Sequence, residues 1–223
     1  MQNKIIVLEG LDASGKGTQT KMLAQKLESE NKVYHCFDFP RYEKDSSIPV
    51  KMYLGGKLGN RPEDTNAYAA SAFYAVDRYI SFKTEWREFY EKGDIILLDR
   101  YTSANALHQM SKMDKSLWAD FANWLYDFEF GKLGLPKPAA TLFLDMHPDI
   151  AIELMNKRTE STGRLQDIHE KDHSHLYKSY EAAQFACDLL GWTRIVCFEN
   201  GKPKSVEQIF KQICDATKNI IEG

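Results

Sequence analysis

Two groups of residues in this chain could do chemistry together: a glycine-lysine cluster near the start and a set of widely spaced arginines. The run Gly10-Leu11-Asp12-Ala13-Ser14-Gly15-Lys16-Gly17-Thr18 has the spacing G-x-x-x-x-G-K. Glycines at 10 and 15 permit backbone turns that aim several N–H groups into one concavity. Lys16 adds a charge there, and the helical sequence that follows adds the positive end of its dipole. Such a cradle holds the β- and γ-phosphates of a nucleotide. Gly10, Asp12, Ala13, Ser14, Gly15, Lys16, Gly17 and Thr18 are therefore expected to bind ATP. Gly17 stands where a serine or threonine hydroxyl usually meets Mg²⁺, and the hydroxyl follows one place later as Thr18.

The arginines fit the other half of such a reaction. Phosphoryl transfer is mostly positioning and electrostatics. An acceptor that is itself a phosphate brings more negative charge beside ATP, so it needs cations of its own. Arg41 follows Phe39-Pro40, Arg100 follows Asp99, and Arg78 comes four residues after Tyr74. That last spacing puts an aromatic ring and a guanidinium on one helix face. There the ring can stack on a base while the guanidinium bonds its edge. Lys157, Arg158 and Arg164 surround the polar stretch 159–163, which reads as a lid that would exclude water and bring charge to the transferring group.

Five short apolar runs must position these residues. Lys4–Glu9, Lys32–Phe39, Asp94–Asp99, Thr141–Asp145 and Thr193–Phe198 read as strands, and their near-continuous apolar content predicts burial on both faces of a parallel sheet. Helical periodicity separates them, as in Leu117, Trp118, Phe121, Trp124, Leu125 and Phe128, and again in Val206, Ile209, Phe210 and Ile213. The alternation predicts a three-layer α/β fold, a five-stranded parallel sheet flanked by helices. Ligands in such folds sit beyond the carboxyl ends of the strands. Gly10 onward, Arg41, Asp99–Arg100 and Asp145 all fall there, with Asp145 read as structural. Trp118 and Trp124 read as core or dimer residues.

The chain of 223 residues is 43% hydrophobic with a formal charge of −3. It can bury one core, so residues 1–223 read as one domain, with a lid at about 157–170. That charge offers no basic stripe for nucleic acid. No apolar run reaches the ~18 residues of a membrane span, and no signal peptide precedes the first strand. The four scattered cysteines read as reduced thiols in a cytoplasmic setting. His169, His173 and His175 cluster, and exposed histidines are the reading preferred over a metal site.

The motifs EGLDASGKGTQ, FPRYE, FYAVDRY, DRYTSANALHQ, LPKPAATLFLDM and KRTESTGRLQDIHEKD, in that order, resemble the thymidylate kinase family over nearly the whole chain. The resemblance implies a P-loop kinase fold with a mobile lid, usually a homodimer, that moves the γ-phosphate of ATP onto dTMP with Mg²⁺. It implies that Asp12 meets the acceptor's 3′-hydroxyl and that Arg41 and Arg100 bind its phosphate. Tyr74 takes the place of a stacking phenylalanine, Arg78 faces the base carbonyl, Asn105 lies near the base, and Phe39 joins the acceptor site. Asp99 matches an acid near Mg²⁺, acting through water. The run GKGTQ also resembles the loop of adenylate kinases, which implies a metal held mainly by phosphates and water. With Ala13 and Ser14 in the loop, no arginine lies between its glycines. Relatives of that kind use the lid, so Arg158 or Arg164 is expected to be catalytic beside Lys16, Arg100 and Asp12.

Three departures stand out. Ala104 replaces a usual serine, His108 replaces a tyrosine beneath the sugar, and Ile168 replaces a common arginine. Rival readings are a monophosphate kinase of other pyrimidine or purine specificity and a nucleotide-binding regulator without turnover. A pure binder has no need of cations for a second phosphate. A GTPase is disfavoured because no Asn-Lys-x-Asp motif follows the fourth strand.

Overall fold

The computed structural model describes residues 3–59, 61–162 and 173–223. The chain runs β1 (Ile5–Gly10), α1 (Lys16–Ser29), β2 (Tyr34–Asp38), α2 (Ile48–Leu54), α3 (Ala67–Ser81), α4 (Arg87–Lys92), β3 (Ile95–Asp99), α5 (Thr102–Met110), α6 (Trp118–Tyr126), β4 (Ala140–Asp145), α7 (Pro148–Thr162), α8 (His173–Leu190), β5 (Thr193–Val196), a small hairpin of β6 (Phe198–Glu199) and β7 (Lys202–Pro203), and α9 (Val206–Glu222). The large sheet has five parallel strands in the order β2-β3-β1-β4-β5. This is the three-layer architecture expected from the sequence.

The central strand explains the fold's hydrophobic logic. Ile5, Ile6, Val7 and Leu8 are fully buried, because β1 lies between β3 and β4 with helices over both faces. Ile6 and Leu8 join the larger core with Leu23 and Leu27 of α1, while Ile5 and Val7 face a second core built on Phe82, Trp86 and Tyr101. Burial on both faces does not extend to the sheet's edges. β2 alternates between half-buried and exposed residues, and β5 buries only Ile195. The expectation of two-sided burial is therefore corrected for these two strands, since an edge strand has a neighbour on one side only. Phe198, expected to continue β5, belongs to the separate hairpin.

Parallel pairing brings the strand ends into one row. Leu8 pairs with Asp99, Gly10 with Leu144, and Asp38 with Asp99. The residues that leave β1, β2 and β3 therefore emerge side by side, which is where chemistry is expected in an α/β sheet. Helix α3 is capped by Asn66, whose side chain accepts from the Ala69 N–H at 2.8 Å. Trp118 is buried and Trp124 packs against the same core. Asp145 braces helix α8 against the sheet, because its Oδ1 accepts from the Tyr180 hydroxyl at 2.8 Å and from Gln184 at 3.0 Å. All four cysteines are free; Cys187 and Cys197 are buried, whereas Cys36 is exposed.

Candidate active site

The loop between β1 and α1 owes its shape to two glycines. At Gly10, φ is +157° and a Cβ would lie 2.7 Å from Ser14 Oγ and 3.1 Å from the Leu144 carbonyl, so no side chain fits. At Gly15, φ is +92°, a left-handed conformation that other residues adopt only at a cost of about 1 kcal/mol. Ala13 also turns left-handed, with φ +61°. The loop delivers the chain to Lys16 at the first position of α1, where N–H groups lack helical partners and the dipole favours an anion.

Lys16 is almost fully buried, and its Nζ donates to the carbonyls of Gly10 and Leu11, both at 2.7 Å. Burial, reinforced by the charge of Arg100, lowers its pKa from 10.5 to about 8; the carboxylates of Asp12, Asp99 and Glu9 oppose the fall. This ammonium is held by two backbone carbonyls at a cost in desolvation.

Arg100 is the second anchor. Its backbone is left-handed, with φ +66°, in a residue type that rarely adopts that conformation. Its N–H donates to Leu8 O at 3.0 Å, which fastens the strained residue to the end of β1. The guanidinium contacts Asp12 through Nη2, and its Nη1 lies 3.0 Å from His108 Nε2 and 3.6 Å from Glu9 Oε1. The surrounding carboxylates outweigh burial and hold its pKa above the usual arginine value. Lys16 and Arg100 face a common cleft of about 600 Å³, lined also by Asp12, Phe39, Tyr42 and Asp99. Ala13, Gly15, Gly17 and Thr18 of the loop line it as well, and α7 contributes Leu154.

Other expected residues occupy different settings. Arg41 does not line this cleft. Its Nη2 donates to Glu85 Oε2 at 2.7 Å and its Nη1 to Asp38 Oδ1 at 2.8 Å. Its backbone N–H donates to the buried Asp77 at 2.8 Å. Tyr74 meets Tyr53 edge to face, with ring centroids 6.4 Å apart. Arg78 and Asn105 are buried and both bond Glu129. Ser14 is buried behind the loop. Arg158 belongs to α7. Arg164, Ile168 and most of the expected lid lie outside the described residues. His175 is buried, its ring stacked on that of His108 at 5.9 Å, which differs from the exposed histidine expected there. Among the described residues no cluster of three or more His, Cys, Asp or Glu side chains could hold a metal.

Three buried carboxylates shape the site without having been singled out in the sequence. Glu9 is fully buried; its Oε1 accepts from the Gly10 N–H at 2.9 Å and its Oε2 from the Ser103 hydroxyl at 2.8 Å. Burial raises its pKa, with Arg100 and Lys16 opposing. Asp77 holds the Arg41 backbone and the Ser46 hydroxyl, and Glu129 holds Arg78. For Glu9, a lone charge at the end of the apolar run 5–8 is the signal that could have found it, since such a group requires a partner once buried.

Comparison with known proteins agrees with this geometry. The model of the family described as thymidylate kinase matches residues 8–195. A thymidylate kinase of Mycobacterium tuberculosis is 28% identical over 170 residues, which cover 75% of this chain and 78% of that protein. One from Danio rerio is 24% identical over 226 residues, covering 97% and 91%. A solved thymidylate kinase from Candida albicans superposes with a TM-score of 0.69 at 20% identity, covering 98% of this chain and 94% of the other, and so has the same fold.

Proposed function

This chain belongs to the thymidylate kinase family, phosphotransferases that convert dTMP to dTDP, and we propose how its residues divide that work. The observation that carries the reading is Lys16 and Arg100 in one cleft, with Asp12 lining it and bonded to Arg100. Two cations at the ends of neighbouring strands suit two phosphates: Lys16 for ATP and Arg100 for the acceptor. The residues 10–18 cradle the donor phosphates. The acceptor phosphate takes Asp12's place on the Arg100 guanidinium, which frees the Asp12 carboxylate for the 3′-hydroxyl. Tyr74 stacks on the base, Arg78 and Asn105 read its edge, and Phe39 and His108 flank the nucleotide. Arg41 leaves Glu85 to join Arg100. Arg158 or Arg164 supplies charge to the transferring group from the lid.

Mg²⁺ fits this site through Asp99, whose carboxylate lines the cleft and among the described residues accepts no hydrogen bond, and through the exposed Thr18 hydroxyl. The ion would neutralise charge on the nucleotide phosphates, with Asp99 acting through water. A homodimer is supported by α3, where Val76 and Ile80 share a face and are 43% and 40% exposed. A cytoplasmic setting suits the free cysteines. No helix among the described residues is long and apolar enough to cross a membrane.

The test is ADP release with ATP, Mg²⁺ and each nucleoside monophosphate in turn, with the diphosphate product identified. dTMP is expected to give the highest kcat/KM. Turnover faster with AMP or a cytidine nucleotide would contradict the acceptor assignment, and ADP release with none of them would favour a regulator.

A further inference from the structure

Glu129 sits in the wide helical turn Asp127–Lys132 and is fully buried. Its carboxylate collects four donors from two other helices. Arg78 Nε donates to Oε2 at 2.7 Å, and Arg78 Nη2 donates to Oε1. The Thr102 hydroxyl donates to Oε2 at 2.7 Å, and Asn105 Nδ2 donates to Oε1 at 3.2 Å. Asn105 Nδ2 also donates to the Ser71 carbonyl at 3.2 Å.

These bonds fix more than position. An ionised carboxylate only accepts. Asn105 must therefore present its NH₂ to Glu129, and its second N–H is taken by the Ser71 carbonyl. The group Asn105 has left to offer a ligand is Oδ1, an acceptor. Arg78, bound bidentately through Nε and Nη2, keeps N–H groups on Nη1 and can only donate. We propose that Glu129 is a specificity-determining positioning residue, which sets the polarity of the Arg78–Asn105 pair as one donor beside one acceptor. The proposal rests on the reading that this pair faces the acceptor base.

A donor beside an acceptor complements a pyrimidine edge with a carbonyl at position 4 and a hydrogen on N3. A cytosine-type edge shows the reverse, an amino group beside a bare N3. Against it, Arg78 would face a donor and Asn105 Oδ1 a lone pair. Were Asn105 free to turn its amide over, that penalty would shrink, because NH₂ would then meet the bare nitrogen. Glu129 is the charged part of what prevents the turn, since a flipped Asn105 would set its oxygen against a carboxylate as well as against the Ser71 carbonyl.

The probe pair is dTMP and 5-methyl-dCMP, which share the methyl group, sugar and phosphate and differ only at that edge. The wild-type enzyme is expected to favour dTMP by at least ~100-fold in kcat/KM, as polar sites do against a mismatched edge. In Glu129→Gln the side-chain amide can donate, which leaves only the neutral Ser71 carbonyl opposing a turn of Asn105. The ratio is expected to fall several-fold or more, mainly through a lower KM for 5-methyl-dCMP, with ATP KM nearly unchanged. A large wild-type ratio that E129Q leaves intact, both nucleotides losing activity together, would overturn the proposal while sparing the acceptor-site reading. A wild-type ratio near one would overturn both. Should E129Q lose ATP binding and so be unfolded, Glu129→Asp decides by the same criteria. It keeps the charge beside Arg78, but its shorter carboxylate cannot reach both Arg78 and Asn105.

Discussion

His108 Nε2 lies 3.0 Å from Arg100 Nη1. A guanidinium can only donate, so Nε2 is the acceptor in this contact. The residue that stands where the resemblance implies a sugar-packing tyrosine is thus tied to the arginine proposed for the acceptor phosphate. Histidine is the smaller ring and is expected to leave room for a 2′-hydroxyl. Discrimination between dTMP and ribothymidine monophosphate is expected to be about a hundredfold or less in kcat/KM, since a pocket that merely tolerates a hydroxyl selects weakly. His108→Tyr should raise that ratio. A wild-type ratio already in the many thousands, unchanged by the substitution, would place the guard of the 2′ position elsewhere.

Lys16 gives a pH signature. With its pKa lowered to about 8, the empty site loses the ammonium as pH rises through that value. Donor phosphates beside Nζ favour the charged form, so binding above pH 8 must take up a proton. ATP affinity is expected to be flat below that point and to weaken above it, by up to about tenfold per pH unit. Calorimetry in buffers of differing ionisation enthalpy should show proton uptake at pH 9 and little at pH 7. Identical proton uptake at both would mean that Lys16 holds its charge throughout.

The Arg41 guanidinium is engaged by Glu85 and Asp38, so joining the acceptor phosphate requires an exchange of partners. Glu85→Gln weakens the hold and should lower KM for the acceptor several-fold, because less competing charge must be displaced. Arg41→Ala should raise it by about tenfold or more. Unchanged acceptor KM in both variants would leave Arg41 as a surface ion-pair partner.

Much of this site is legible in the sequence because its parts are local. The phosphate loop is a contiguous spacing set by two glycines, and Arg41 and Arg100 are marked by where apolar runs end. The β1, β3 and β4 strands fall within one residue of their expected bounds at each end. What local pattern could not supply is pairing over distance. Glu129 meets Arg78 across 51 positions and Glu9 meets Ser103 across 94. Nothing near either glutamate specifies its partner. Sheet order is likewise non-local, and only the polar residues within β2 and β5, His35 and Arg194 among them, hint locally that these strands are edges. Nor could a motif show Arg41 turned toward Glu85, which depends on a helix more than 40 residues away.

The loop between Gly10 and Gly15 has no arginine, and the proposed division of labour assigns the transferring charge to Arg158 or Arg164. Arg158→Ala and Arg164→Ala should be compared. At least one is expected to lower kcat by about a thousandfold with ATP affinity nearly intact, the pattern of an interaction made only in the transition state. Normal turnover in both would put the catalytic arginine elsewhere.

The central claim is that Arg100, held by Asp12 and Glu9 at the end of β3, receives the acceptor phosphate while Lys16 serves the donor. The most direct measurement is Arg100→Ala, with kcat/KM for dTMP and equilibrium ATP affinity determined on the same preparation. Loss of a charge-assisted contact in a site shielded from water should cost roughly 3 kcal/mol, about a hundredfold in kcat/KM for dTMP. ATP affinity should change by no more than about threefold, since the donor's contacts are left in place. Losses of equal size in ATP affinity and in dTMP turnover would contradict the division of labour between the two cations.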